Sequence, residues 1–184
     1  HCGDCGASCL AIEPPNASAT CETGGLAPQC GFECDDGWLN INGLSDDGCE
    51  CAPQPGPDVA TDGVDTNCDG IVGDSAEALF VAKNGSDAAT GTWGDPMLTI
   101  QAALDRAQLL GKRDVYVATG VYSQNIELVE GVGLFAGYSA DFESRDPLVY
   151  ETAIIGQSPT EERPGAVNVV SLGLLGSGAI TALN

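Results

Sequence analysis

Cysteine placement constrains this chain more than any other feature. Cys2, Cys5, Cys9, Cys21, Cys30, Cys34, Cys49 and Cys51 fall within the first 51 of 184 residues, and the ninth is Cys68. That stretch has few large apolar side chains. It cannot bury enough to offset a backbone entropy cost of about 1–2 kcal/mol per residue. Disulfides, worth roughly 2–4 kcal/mol each, make up the difference and imply an oxidising compartment. Two thiolates at the Cys2-x-x-Cys5 spacing also suit zinc, but no second pair at similar spacing follows and His1 is terminal. No His follows Cys5, which excludes c-type haem attachment. Nine is odd, so at least one cysteine is free or pairs outside the chain. The pairing itself is not fixed by sequence.

Charge divides the chain at the same place. Residues 1–77 hold 15 Asp or Glu and no Lys or Arg, and all six basic residues lie between Lys83 and Arg163. The net charge of −21 excludes a general nucleic-acid binder and disfavours anionic membranes. No run is long enough for a transmembrane helix, so no membrane insertion is expected. The chain starts with His and carries no signal peptide, so it reads as a processed chain or a fragment of a secreted, cell-surface protein.

Three regions follow. Residues 1–51 read as a disulfide module of turns and short irregular strands, broken by Pro14-Pro15, Asp35-Asp36-Gly37 and Asp46-Asp47-Gly48. Residues 52–77 read as a Pro-rich linker and an acidic loop. In that loop Asp65, Asn67 and Asp69 place side-chain oxygens at alternate positions, Gly70 permits a sharp turn, and the carbonyl of Ile71 is a further candidate ligand. The pattern matches the first half of a calcium loop and then departs from it. A bidentate Glu would be needed at position 76, which is Ala76, leaving Asp74 or Glu77 to bend in. Calcium is the cation expected, with magnesium disfavoured by its tighter geometry. Cys68 is placed to staple this loop to the first module.

From residue 78 to 184 the patterning is strand-like. Strands are expected at Leu79–Ala82, Val115–Ala118, Asn125–Val129, Val132–Ala136, Thr152–Ile155, Ala166–Leu172 and Ala179–Leu183. A helix is expected over Thr99–Leu110, with Ile100, Leu104, Ala107 and Leu110 near one face and Gly111 as its stop. A sandwich or barrel fits such strands. So does a parallel solenoid, since hairpin signals are weak.

Two resemblances bear on the choice. Phe80-Val81-Ala82, Gly85-Ser86-Asp87, Gly91-Thr92, Asp95-Pro96, Thr99 to Leu104, Val115 to Tyr122 and Gly131 to Tyr138 together resemble the start of a pectin-lyase-like right-handed parallel β-helix. That resemblance implies an all-β fold with the helix as N-terminal cap. Residues 2–74 are similar to EGF-like cysteine-rich and metal-binding repeats of large secreted bacterial surface proteins. The carrying residues are Cys2-x-x-Cys5-Gly6-x-x-Cys9, Asp47-Gly48-Cys49-Glu50 and Asp65 to Gly70. This implies an extracellular stalk, adhesin or surface-layer setting.

No catalytic constellation is evident. Arg106, Lys112, Arg113, Arg145 and Arg163 are the bases a polysaccharide lyase of that fold would draw on, and Arg145 reads as part of a turn with a local ion pair. Asp141 with Glu143, or Glu161-Glu162, are the carboxylate pairs a glycosidase would need. The carboxylate pairs lie in polar loops, where solvation accounts for them, and Arg106, Lys112 and Arg113 sit on or after the expected cap helix. Asn16-Ala17-Ser18 and Asn84-Gly85-Ser86 match the glycosylation sequon. The expected function is a non-catalytic, calcium-stabilised structural or adhesive module of a bacterial surface. Its expected partners are copies of itself, joined head-to-tail as a fibre, or a surface polysaccharide. The fibre expectation arises because nothing after Ile180 resembles a second solenoid cap. The alternative is a carbohydrate-binding or lyase-type enzyme with its groove on the β-helix.

The oxidised-cysteine reading has a direct check. Thiol labelling of the denatured, unreduced protein is expected to find no more than one free thiol per chain. Four or more, with bound zinc, would replace disulfides with a metal-thiolate framework.

Overall fold

The computed structural model describes residues 14–22, 29–44 and 47–156, together with the backbone of two further strands at 169–171 and 180–181. The chain divides into two compact units. One comprises His1–Asp58 with Asp65–Gly70, and the other Val59–Val64 with Ile71–Asn184.

In the first unit, β1 (Ala17–Glu22) and β2 (Gln29–Cys34) pair antiparallel, from Ala17 opposite Cys34 to Glu22 opposite Gln29. A two-stranded ribbon is not stable alone in water. Cross-links supply the rest. Cys34 bonds to Cys49 and Cys51 to Cys68, while Cys21 and Cys30 are disulfide-bonded as well. Cys49 also donates its N–H to the carbonyl of Pro15 at 3.0 Å. Gly48 makes that approach possible, because a Cβ there would lie 2.3 Å from the same carbonyl oxygen.

The second unit is built on parallel pairing. Strands β3 (Ala78–Val81), β4 (Asp114–Ala118), β7 (Gly133–Tyr138) and β10 (Ile180–Thr181) form a sheet in the order β10-β7-β4-β3. Two separate parallel pairs accompany it. These are β5 (Gly120–Ser123) with β8 (Thr152–Ile155), and β6 (Ile126–Leu128) with β9 (Val169–Ser171).

Successive side chains point to opposite faces and both faces are buried, which explains why β3 and the part of β4 after Asp114 carry no charged residue. Leu79, Val81, Val115 and Val117 join one core cluster with Ile100, Ala103, Leu104 and Ala107 of the helix α1 (Ile100–Leu110). The alternate residues Ala78, Phe80, Tyr116 and Ala118 join a second cluster with Ala60, Ile71, Tyr138 and Phe142. The second cluster is aromatic: Phe80 meets Tyr116 and Phe142 edge-on at 5.4 and 5.0 Å, and Tyr138 stacks on Tyr116 at 4.9 Å.

The helix forms where expected. Thr99 caps it by accepting from the Ala102 amide, and Gly111 ends it at φ +68°. Asp87 fixes the entry by accepting from the Leu98 and Thr99 amides. One burial assignment changes. Leu110 is 57% exposed and Ala103 is buried; at about 100° per residue the two lie only about 20° apart round the helix, so Leu110 is exposed as the last helical residue and not because it faces elsewhere.

Three corrections follow. The right-handed parallel β-helix does not appear. Among the described residues the strands belong to separate small sheets of two or four strands, with no closed or solenoid sheet. Parallel ladders are present, but among the described residues the two lateral ones are only four and three residues long and two strands deep. Second, β5 is a strand where sequence patterning suggested none. Third, Arg145 makes no local ion pair. Its guanidinium donates to the carbonyls of Ala136 (3.0 Å) and Ala60 (2.7 Å) and lies by the Phe135 and Tyr138 rings. Tyr138 donates in turn to the Val72 carbonyl at 2.6 Å.

The helix offers a paired test of this packing. Leu104 is fully buried and Leu109 is 83% exposed. Leu104→Ala is expected to cost about 2–5 kcal/mol in chemical denaturation, and Leu109→Ala less than about 0.5 kcal/mol.

Candidate metal centre

Asp58, Asp65 and Asp69 each present a carboxylate oxygen, and these oxygens lie within 4.8 Å of one another. All three belong to the first unit. Asp58 is 4% exposed. Its Oδ2 accepts from the amides of Thr66 (3.1 Å) and Asn67 (3.3 Å). Asp65 accepts from Asp69 N at 3.2 Å and from Gly70 N at 2.9 Å. Asn67 Oδ1 accepts from Asp69 N at 2.9 Å, and its amide donates to Asp69 Oδ2 at 3.2 Å. The loop therefore winds round its own backbone donors. Cys68 at φ +61° and Gly70 at φ +91° supply the left-handed turns. The Cys51–Cys68 disulfide anchors it, and Gln54 N donates to the Thr66 carbonyl at 2.9 Å.

Carboxylates this close repel, by roughly 1 kcal/mol per pair even at the dielectric of water. Backbone amides offset part of that, and a cation would offset more. The donors are all oxygen, with the nearby cysteines locked in a disulfide. Such a set suits a hard divalent cation and not zinc. The three carboxylates could hold a metal ion.

Of the residues that spacing singled out, Asp65 and Asp69 meet here and Asn67 bonds to Asp69. Ile71 and Asp74 lie in the second unit. Ile71 is buried in the aromatic cluster, and Asp74 accepts from Ala76 N at 3.0 Å as the cap of a 3-10 turn, Ser75–Glu77. Asp58 was missed. It stands seven positions before Asp65, behind the prolines, and no calcium-loop spacing includes it. Its one signal is a lone acidic residue next to Pro57. The staple expected of Cys68 is present, with Cys51 as its partner.

The two sequons differ. Asn16 is half-buried, sits at φ +52° and donates to the Cys49 carbonyl at 3.0 Å, whereas Asn84 is exposed in a turn. Cys2, Cys5, Cys9, Glu161, Glu162 and Arg163 lie outside the described residues. Arg106 donates to the carbonyls of Ala89 and Asp87, and Lys112 to that of Ala76. Asp141 accepts from the Ser139 hydroxyl at 2.6 Å. No protein-family model, curated protein or solved structure matches the chain.

The second unit has a buried acidic group of its own. Asp114 is 5% exposed, pairs with Arg113 Nε at 2.7 Å and accepts from the Tyr116 hydroxyl at 3.3 Å. Gly133 leaves room for it, since a Cβ there would lie 2.7 Å from Asp114 Oδ1. Burial raises its carboxyl above the ordinary value, against the opposing pull of Arg113. A raised folded-state pKa contributes stability below the unfolded value, and that contribution is lost as pH rises through the folded value. Thermal melts between pH 3 and 7 should therefore show the advantage of the native chain over Asp114→Asn shrinking as pH rises. An advantage that grows with pH would mean the Arg113 pair dominates.

Proposed function

We propose that this chain is a non-catalytic, extracellular structural or adhesive module of a bacterial surface, with calcium as the cation of the Asp58/Asp65/Asp69 cluster. The observation that carries the reading is the convergence of three carboxylates in a loop anchored by a disulfide. The disulfides suggest an oxidising, extracellular setting. No helix among the described residues is long and apolar enough to cross a membrane. The likeness of residues 2–74 to cysteine-rich, metal-binding repeats of surface proteins supports the same setting. A non-catalytic role is supported by how four of the described cations of the second unit are engaged: Arg106, Lys112 and Arg145 donate to backbone carbonyls, and Arg113 pairs with Asp114. On this reading the partners are further copies of the chain or a surface polysaccharide. Leu148 and Val149, 96% and 66% exposed, are apolar side chains available for such a contact.

Extracellular calcium loops bind with dissociation constants of about 10⁻⁴–10⁻³ M. A tenfold excess over that constant stabilises the folded chain by about 1.4 kcal/mol. Calorimetry at millimolar calcium is expected to show binding heat that is lost in Asp69→Ala and reduced in Asp58→Asn. Chelation should lower the melting temperature and increase proteolysis between Pro57 and Ala78. No binding heat together with no shift in melting temperature would remove calcium from the site.

A further inference from the structure

The three carboxylates come from two stretches of chain. Asp58 ends the stretch that includes Cys51, and Asp65 and Asp69 belong to the segment Asp65–Gly70. Several bonds of that segment are internal: Asp65 and Asn67 accept from the amides of Asp69 and Gly70. They shape the turn without fixing its place against Asp58. The ties that do so include the Gln54–Thr66 backbone bond, the two amide bonds to Asp58 Oδ2, and the Cys51–Cys68 disulfide. The Asp58 bonds depend on one of the mutually repelling charges, so they are the ties that repulsion works against. The disulfide does not depend on charge. Cys68 also sits between Asn67 and Asp69, in the left-handed conformation, so displacing it swings both neighbouring side chains. Both cysteines are largely shielded, at 9% exposure each.

We infer that the Cys51–Cys68 disulfide preorganises the cation site, acting as the positioning element that sets its affinity. The inference rests on the calcium reading of the cluster. With the bridge closed, the carboxylates are already gathered and the cation does not have to order the loop. With it open, repulsion spreads them and the ordering cost falls on binding. By reciprocity, a cation that prefers the bridged chain makes the bridge harder to reduce by the same factor. The reduction involves no other group. A dithiol reductant breaks the S–S bond, gives Cys51 and Cys68 one hydrogen each, and is itself closed to a disulfide.

The experiment compares calcium titration of the oxidised full chain with that of Cys51→Ala/Cys68→Ala. The double variant is expected to bind at least tenfold more weakly. In parallel, the native chain is equilibrated with dithiothreitol with and without calcium, and Cys51–Cys68 is followed by alkylation and peptide mapping. Calcium is expected to shift that equilibrium toward the bridge by the factor lost in the variant. Equal affinity in the two chains overturns the inference and leaves the calcium reading standing. No binding to the oxidised native chain overturns both. If the double variant fails to fold, the reduction equilibrium decides alone, and indifference of Cys51–Cys68 to calcium overturns the inference.

Discussion

Burial of both faces of the β3–β4–β7 sheet is the constraint on which the second unit depends. Parallel ladders leave no hairpin to fix their register, so side-chain packing has to do it. Here the two sets of alternate residues do so separately. Leu79, Val81, Val115 and Val117 lock against α1, and Phe80 and Tyr116 lock into the aromatic cluster. A one-residue slip would exchange the two sets and place tyrosine and phenylalanine against small helical residues such as Ala103 and Ala107. The polar ends of the tyrosines remain satisfied: Tyr138 donates to the Val72 carbonyl and Tyr122 to that of Ala118.

The first unit solves a different problem. Among its described residues the antiparallel ribbon has no comparable core, and covalent bridges take the place of packing. The same bridges leave the backbone free to expose polar groups, and the acidic loop uses that freedom. Its carboxylates are organised by amide donors and by Cys68, with Asp58 buried and Asp69 exposed. A disulfide-rich unit can therefore hold concentrated negative charge that a packed core would exclude.

Much of this was legible in advance, and the limits are instructive. The helix was legible because Thr99, the spacing of Ile100, Leu104 and Ala107, and Gly111 all act locally. Asp65, Asn67 and Asp69 were legible because alternate oxygens followed by glycine make a loop that turns on itself. Asp58 was not, because its role depends on the chain folding back across seven residues. The solenoid expectation failed for a related reason. Periodicity reports that a strand is buried, but not how many neighbours its sheet acquires, and among the described residues β5–β8 and β6–β9 have two strands each.

The disulfide chemistry of the first unit, the position of the one described α-helix and the inward-facing apolar residues of the strands could be read directly from the residue order. These follow from composition and short-range spacing, where each residue acts on neighbours within a turn or a strand. The folded chain was needed to show that Cys51 is the partner of Cys68, that Asp58 joins Asp65 and Asp69, and that Arg145 reaches back to the Ala60 carbonyl. Each joins residues far apart in sequence or outside any local pattern. Such pairings are chosen by the packing of the whole unit, which spacing along the chain does not encode.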